Sequence, residues 1–175
     1  MPSSRPPAWA CGGRKVPSVK GKATASTQSP AQQLDGFIGR FAPPMAKLAK
    51  AALKKMRERL PGAVEMVYDK ANALVVGFCP NERASDAITS MAVYSKWLNV
   101  YFFEGDSLPD PDGILQGSGR MVRYVRLTSA ADLDRPAVKA VLAEAIRRAD
   151  PPLDHRAKRR MLIRQVSKGT KVGAW

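Results

Sequence analysis

"AVEMVYDKANALVVGF", residues 63–78, decides the fold class. Its first half alternates, with Val64, Met66 and Tyr68 on one side of an extended chain and Glu65 and Asp69 on the other. Its second half, 73–78, is a nearly continuous apolar run, and Asn72 lies in the short turn between the two. This pattern predicts a pair of strands. "AITSMAVY" (87–94) and "WLNVYFF" (97–103) repeat the arrangement around Ser95 and Lys96, and "MVRYVRL" (121–127) supplies a fifth extended segment.

Helical spacing brackets these strands. Met45, Leu48, Ala49, Ala52, Leu53, Met56 and Leu60 recur at i, i+3, i+4, i+7, which predicts a helix over 44–60 with one apolar face. Pro43 and Pro44 suit its entry, and Pro61-Gly62 ends it. A final helix is expected to start near Asp134, whose side chain can cap free amides. Val138, Val141, Leu142, Ala145, Ile146 and Ala149 form its stripe, and Asp150-Pro151-Pro152 closes it. Helix, two hairpins, a further strand and a helix read as an α+β fold. The simplest layering is a single two-layer domain, an antiparallel sheet of about five strands packed against helices.

Charge divides the chain into three parts. Of a net +14, residues 1–30 carry five basic and no acidic groups, and residues 154–175 carry seven basic groups against Asp154. Residues 1–30 and 154–175 therefore read as disordered basic tails flanking a domain at 31–153, with Met161, Leu162 and Arg164 permitting a short helix in the second tail. Basic tails suit anionic polymers, so weak, sequence-blind nucleic-acid binding is one expectation. No apolar run approaches the roughly 20 residues needed to span a bilayer. Two distant cysteines, Cys11 and Cys79, form no disulfide framework and fit a reducing cytoplasm. His155 stands alone, which excludes an N/S zinc centre and argues against a histidine-based nucleophilic triad.

The strongest site-like stretch is "PDPDGILQGSGRMVRYVRL", residues 109–127. A phosphate loop needs successive N–H groups at a helix N-terminus and, in its P-loop form, Gly-x4-Gly-Lys-Ser/Thr. Gly113, Gly117 and Gly119 are followed instead by Arg120, Met121 and a strand, so the glycines read as the bend into that strand. Gly117, Gly119, Arg120 and Arg123 remain candidates for holding an anion beside it. A second candidate anion site is the basic face of helix 44–60, where Lys47, Lys50, Lys54 and Arg57 share helical spacing near Lys55, Glu58 and Arg59. Glu104, Asp106, Asp110 and Asp112 are the candidate metal ligands, although Leu108 breaks the spacing of a calcium loop and Met121 stands where its closing Glu would fall.

Taken in order, "FAPPMAKLAKAALKKMRERLPGAVEMVYDKANALVVGF", "AVYSKWLNVYFFEG", "LPDPDGILQGSGRMVRYVRL" and "ADLDRPAVKAVLAEAI" resemble the YdhG-like domain, a bacterial domain of unknown function, over residues 34–146. Glu65 and Tyr68 fall where that family tends to have a Glu and an aromatic. Trp97 and Tyr101 fall in its aromatic strand, and Gly117, Gly119, Arg123 and Arg126 in its loop and last strand. The resemblance implies a small intracellular α+β domain without an established catalytic activity, and the reading adopted is a non-enzymatic binding or accessory module that meets a protein partner. Because some members are regarded as frataxin-like iron chaperones, it also implies iron as an alternative ligand, although helix 44–60 is basic where a frataxin-like ridge would be acidic.

Overall fold

A computed structural model describes residues 28–167. The chain opens with a helix outside the elements expected from periodicity, α1 (Pro30–Ile38). Its signal is a reciprocal cap: Gln32 N donates to Ser29 Oγ at 3.3 Å, and Ser29 N donates to Gln32 Oε1 at 2.8 Å. α1 buries Leu34 and Ile38. α2 (Pro43–Arg59) follows, and Ala49, Ala52, Leu53 and Met56 are its buried residues, as the 3.6-residue spacing requires.

The sheet is β1 (Val64–Asp69), β2 (Leu74–Cys79), β3 (Thr89–Val93), β4 (Leu98–Phe102), β5 (Arg123–Leu127) and β6 (Arg160–Gln165). Their spatial order is β5-β4-β3-β2-β1-β6. The first five pair antiparallel with their sequence neighbours. β6 corrects two expectations. It runs parallel to β1, so the sheet is mixed and six-stranded, and it lies in the basic segment after Leu153 that had read as a tail with a short helix. The physical reason lies in β1, which is buried on both faces and needs a hydrogen-bonded neighbour on each edge. The reading of residues 1–30 as disordered falls, up to residue 27, outside the described residues.

α3 (Pro136–Arg147) buries Val138, Val141 and Leu142. Asp134 does not cap it. Asp134 ends a short 3-10 turn (Ala130–Asp134) and accepts from Lys55 and, at 2.8 Å, from Arg59. Asp132 organises that turn, accepting from Thr128 N at 2.7 Å and Ser129 N at 2.9 Å.

All three helices pack on one face of the sheet. Their apolar stripes meet Val67, Val76, Phe78, Met91, Val100 and Val125 in a single core. Burial of one such side chain contributes roughly 1.5–3 kcal/mol, and this layer holds the fold. The opposite face carries a smaller cluster, Ala73, Val75, Ala92 and Tyr101, with Tyr68, Tyr94, Val122 and Tyr124 against it. No described helix covers that side. Among the described residues no helix is long and apolar enough to cross a membrane.

Candidate functional site

The open face follows from strand alternation. Phe78, Val76 and Leu74 of β2 face the helices, so Val75, Gly77 and Cys79 face away. Register carries this across the sheet to Met66 and Tyr68 on β1, Ser90 and Ala92 on β3, Asn99 and Tyr101 on β4, and Tyr124 and Arg126 on β5. The only two carboxylates within the strands, Glu65 and Asp69, lie on the helix side. Arg57 grips Glu65 through Nε and Nη2, both at 2.7 Å, and Arg159 stands 3.6 Å away. Asp69 meets Arg40 at 2.8 Å, a contact of charges without an aligned N–H, and accepts from Ser167 Oγ at 3.0 Å.

One end of the open face is hollow. A cavity of about 480 Å³ lies over Gly77 and is lined by Met66, Tyr68, Val75, Ser90 and Val122 among others. Its size is that of a small-molecule site. Gly77 makes the floor low: a Cβ there would find nothing nearer than Met66 O at 3.8 Å. Ser90 is 1% exposed, and its hydroxyl has no hydrogen-bond partner among the described residues. Cys79 also lines the cavity, but burial, reinforced by the Asp86 charge, pushes its thiol up to about 12. A thiol so protonated is a poor nucleophile and a poor metal ligand at neutral pH.

Toward the β3–β4 hairpin the same face is aromatic. Trp97 is 39% exposed, and the Arg126 guanidinium lies 5.1 Å from its ring centre and 5.9 Å from that of Tyr124. Arg126 Nε donates to Asn99 Oδ1 at 3.3 Å, and Asn99 Nδ2 donates to the Tyr101 hydroxyl at 3.1 Å. That hydroxyl is 3.2 Å from the hydroxyl of Tyr94. Burial and this bond raise the Tyr94 phenol above its ordinary range, so that hydroxyl stays protonated at neutral pH.

The four candidate metal ligands do not assemble. Among the described residues no three His, Cys, Asp or Glu side chains come together to hold a metal ion. Glu104, Asp106 and Asp112 are exposed around the β4–β5 connection. Asp110 is spent on its own loop, accepting from Ile114 N and Leu115 N, each at 2.8 Å. In the glycine loop, Gly117 takes φ +113°. Arg123 turns inward and donates to the carbonyls of Gly119 and Val122, which leaves Arg120 exposed. On α2, Lys50 pairs with Asp35 at 2.6 Å and Arg57 with Glu65, so two of the four stripe cations are engaged. Lys47 and Lys54 are exposed.

The sequence reading singled out neither Ser90 nor the stacked Trp97–Arg126–Tyr124 group as a site. The signal was present in period-two spacing, since Trp97, Asn99 and Tyr101 alternate along one strand and Tyr124 and Arg126 along another. No family model, curated protein or solved structure matches this chain.

Proposed function

We propose that this chain is a binding module, carrying out no catalysis of its own, whose working surface is the open face of its sheet. One observation carries the reading: the cavity over Gly77 is lined by Ser90, whose buried hydroxyl has no hydrogen-bond partner among the described residues. Leaving such a group unpaired costs about 1–3 kcal/mol. A ligand atom in the cavity would relieve that cost, and the apolar walls would hold the rest of a small, flat molecule. A cytoplasmic setting and a protein partner belong to the same reading. The cytoplasmic setting is supported by the unpaired, protonated thiol of Cys79.

The test is titration with anilinonaphthalene sulfonate, a fluorescent probe of suitable size. Wild-type protein should enhance its emission, and Gly77→Val, which raises the cavity floor by a branched side chain, should weaken or abolish the effect while circular dichroism stays unchanged. Probe binding that is indifferent to Gly77→Val would refute the assignment of this cavity.

A further inference from the structure

We infer that the ligand of the open face is a single-stranded nucleic acid, its bases stacked on Trp97 and Tyr124 and a phosphate held by the terminal nitrogens of Arg126. The inference rests on the reading of that face as the working surface and adds the class of ligand.

Three observations converge. First, Arg126 is held in place before any ligand arrives. Asn99, itself 2% exposed, takes its Nε, and the guanidinium lies against two aromatic rings. Its two terminal nitrogens have no partner among the described residues and are exposed with the side chain. A guanidinium fixed this way presents a planar fork to a phosphate with little further loss of rotamer freedom.

Second, the rings beside it reach the surface, although Arg126 lies over both and Tyr94 packs 5.6 Å from Trp97. Trp97 is the most exposed of the described aromatics, and Tyr124 is half-buried, its ring 5.4 Å from that of Tyr101. A base has a π-face whatever its identity, so such rings accept single strands without reading sequence. In a duplex those faces are hidden in the stack. No described helix projects from this side to enter a groove, which favours the single strand over the duplex.

Third, the charge is complementary. Both carboxylates in the strands point to the helix layer and are neutralised there by Arg57, Arg159 and Arg40. Strand positions on the open face therefore carry no negative charge. An acidic peptide would satisfy Arg126, but its carboxylate side chains offer the rings no π-face. The cavity at the far end of the face is large enough to admit one unstacked base, with Ser90 as its polar contact.

The experiment uses the full chain and fluorescence anisotropy at about 0.3 M salt, where contacts made to phosphate alone are strongly weakened. The probes are a labelled fifteen-nucleotide oligothymidine and an abasic oligomer of the same length. Oligothymidine should bind more tightly than the abasic strand. Trp97→Ala should weaken it by roughly 5- to 100-fold, and Trp97→Phe should recover part of the loss. Arg126→Ala should reduce the log–log salt slope by about 0.7, the loss of one single-strand phosphate contact. Equal affinity for the two probes, or no response to Trp97→Ala in a protein whose melting is unchanged, would overturn the inference by assigning binding to the basic termini. The cavity reading is judged separately, because Gly77→Val can abolish binding of the fluorescent probe whichever way the oligomers behave.

Discussion

Glu65 shows how a single residue can invert the expected reading of a strand. Its alternation with Val64 and Met66 is plain in the sequence, yet the carboxylate side is the one covered by helices, and Glu65 is wholly buried. An unpaired carboxylate there would be prohibitive, so its burial depends on the two-point grip of Arg57. Arg57→Ala should therefore cost on the order of 3 kcal/mol, because Arg159 at 3.6 Å is a distant substitute. Lys54→Ala, on the exposed side of the same helix, should cost about 0.5 kcal/mol or less. Urea unfolding of the two variants decides the matter, and equal losses would show that Glu65 is not held by Arg57. Arg57 illustrates what single-residue reading misses. Helical spacing placed it correctly beside Lys47, Lys50 and Lys54, but spacing does not reveal a carboxylate arriving from a strand eight residues later. The Cys79 thiol allows a second check. Raised to about 12 and 1% exposed, it should resist iodoacetamide at pH 8 in the native protein and react once urea unfolds it. Peptide mapping that found Cys79 alkylated in the native state would mean that the cavity floor opens.

Elements with strong internal periodicity were legible. α2, the two hairpins and α3 all formed where their spacing placed them, within a residue or two at the ends. β6 was not legible, because Arg160, Arg164 and the basic residues before them gave the segment the look of a solvated tail. Its three central residues, Met161, Leu162 and Ile163, are apolar in a row, which fits strand and helix equally. Only the need of β1 for a second neighbour selects the strand, and that need is a property of the sheet. α1 was missed for the opposite reason: it is only nine residues long and buries just Leu34 and Ile38, so its Ser29–Gln32 cap and Pro30 are its sharpest signals. The path into β6 also fixes Gly62. It has φ +82°, and a Cβ there would lie 2.1 Å from the Asp154 carbonyl oxygen, so the returning chain crosses directly over it. A chain ending at Leu153 should accordingly melt at least about 10 °C below one ending at Ser167, since it loses the β1 edge, the packing of Met161 and Ile163, and the Ser167 contact with Asp69. Equal midpoints would show that β6 contributes nothing to the domain. Gly62→Ala should lower the midpoint in the same direction through the same crossing.

At the scale of the whole molecule, 29 cationic side chains stand against 15 carboxylates, so each carboxylate that stays ionised limits self-repulsion as well as making its own contacts. Several are held ionised by their surroundings. Hydrogen bonds from Asn81 and Ser85 lower Asp86, and the hydrogen bond from Lys55 lowers Asp134. For Asp132, burial works in the opposite direction, but hydrogen bonds from Ser129 and Thr128 prevail and lower it. Arg147 and Arg148 bring Glu144 down to about 2. In each case the folded value lies below the unfolded one. The stabilisation is therefore present above the ordinary carboxylate range, near pH 4, and is lost as the pH falls through the folded values. The melting midpoint should be nearly flat between about pH 8 and 5 and should fall steadily from about pH 4 toward 2. Because loss of the negative charges leaves an uncompensated excess of cations, added salt at pH 3 should restore part of the midpoint by screening. The same salt at pH 7 should do much less, since opposite charges are still paired there. Differential scanning fluorimetry over this range, at low and high ionic strength, separates the two contributions. A midpoint that held to pH 3 at low salt would mean that these carboxylates make equal contacts in the unfolded chain. A fall that salt left untouched would assign the acid sensitivity to the individual pairs alone, with no part played by the net charge.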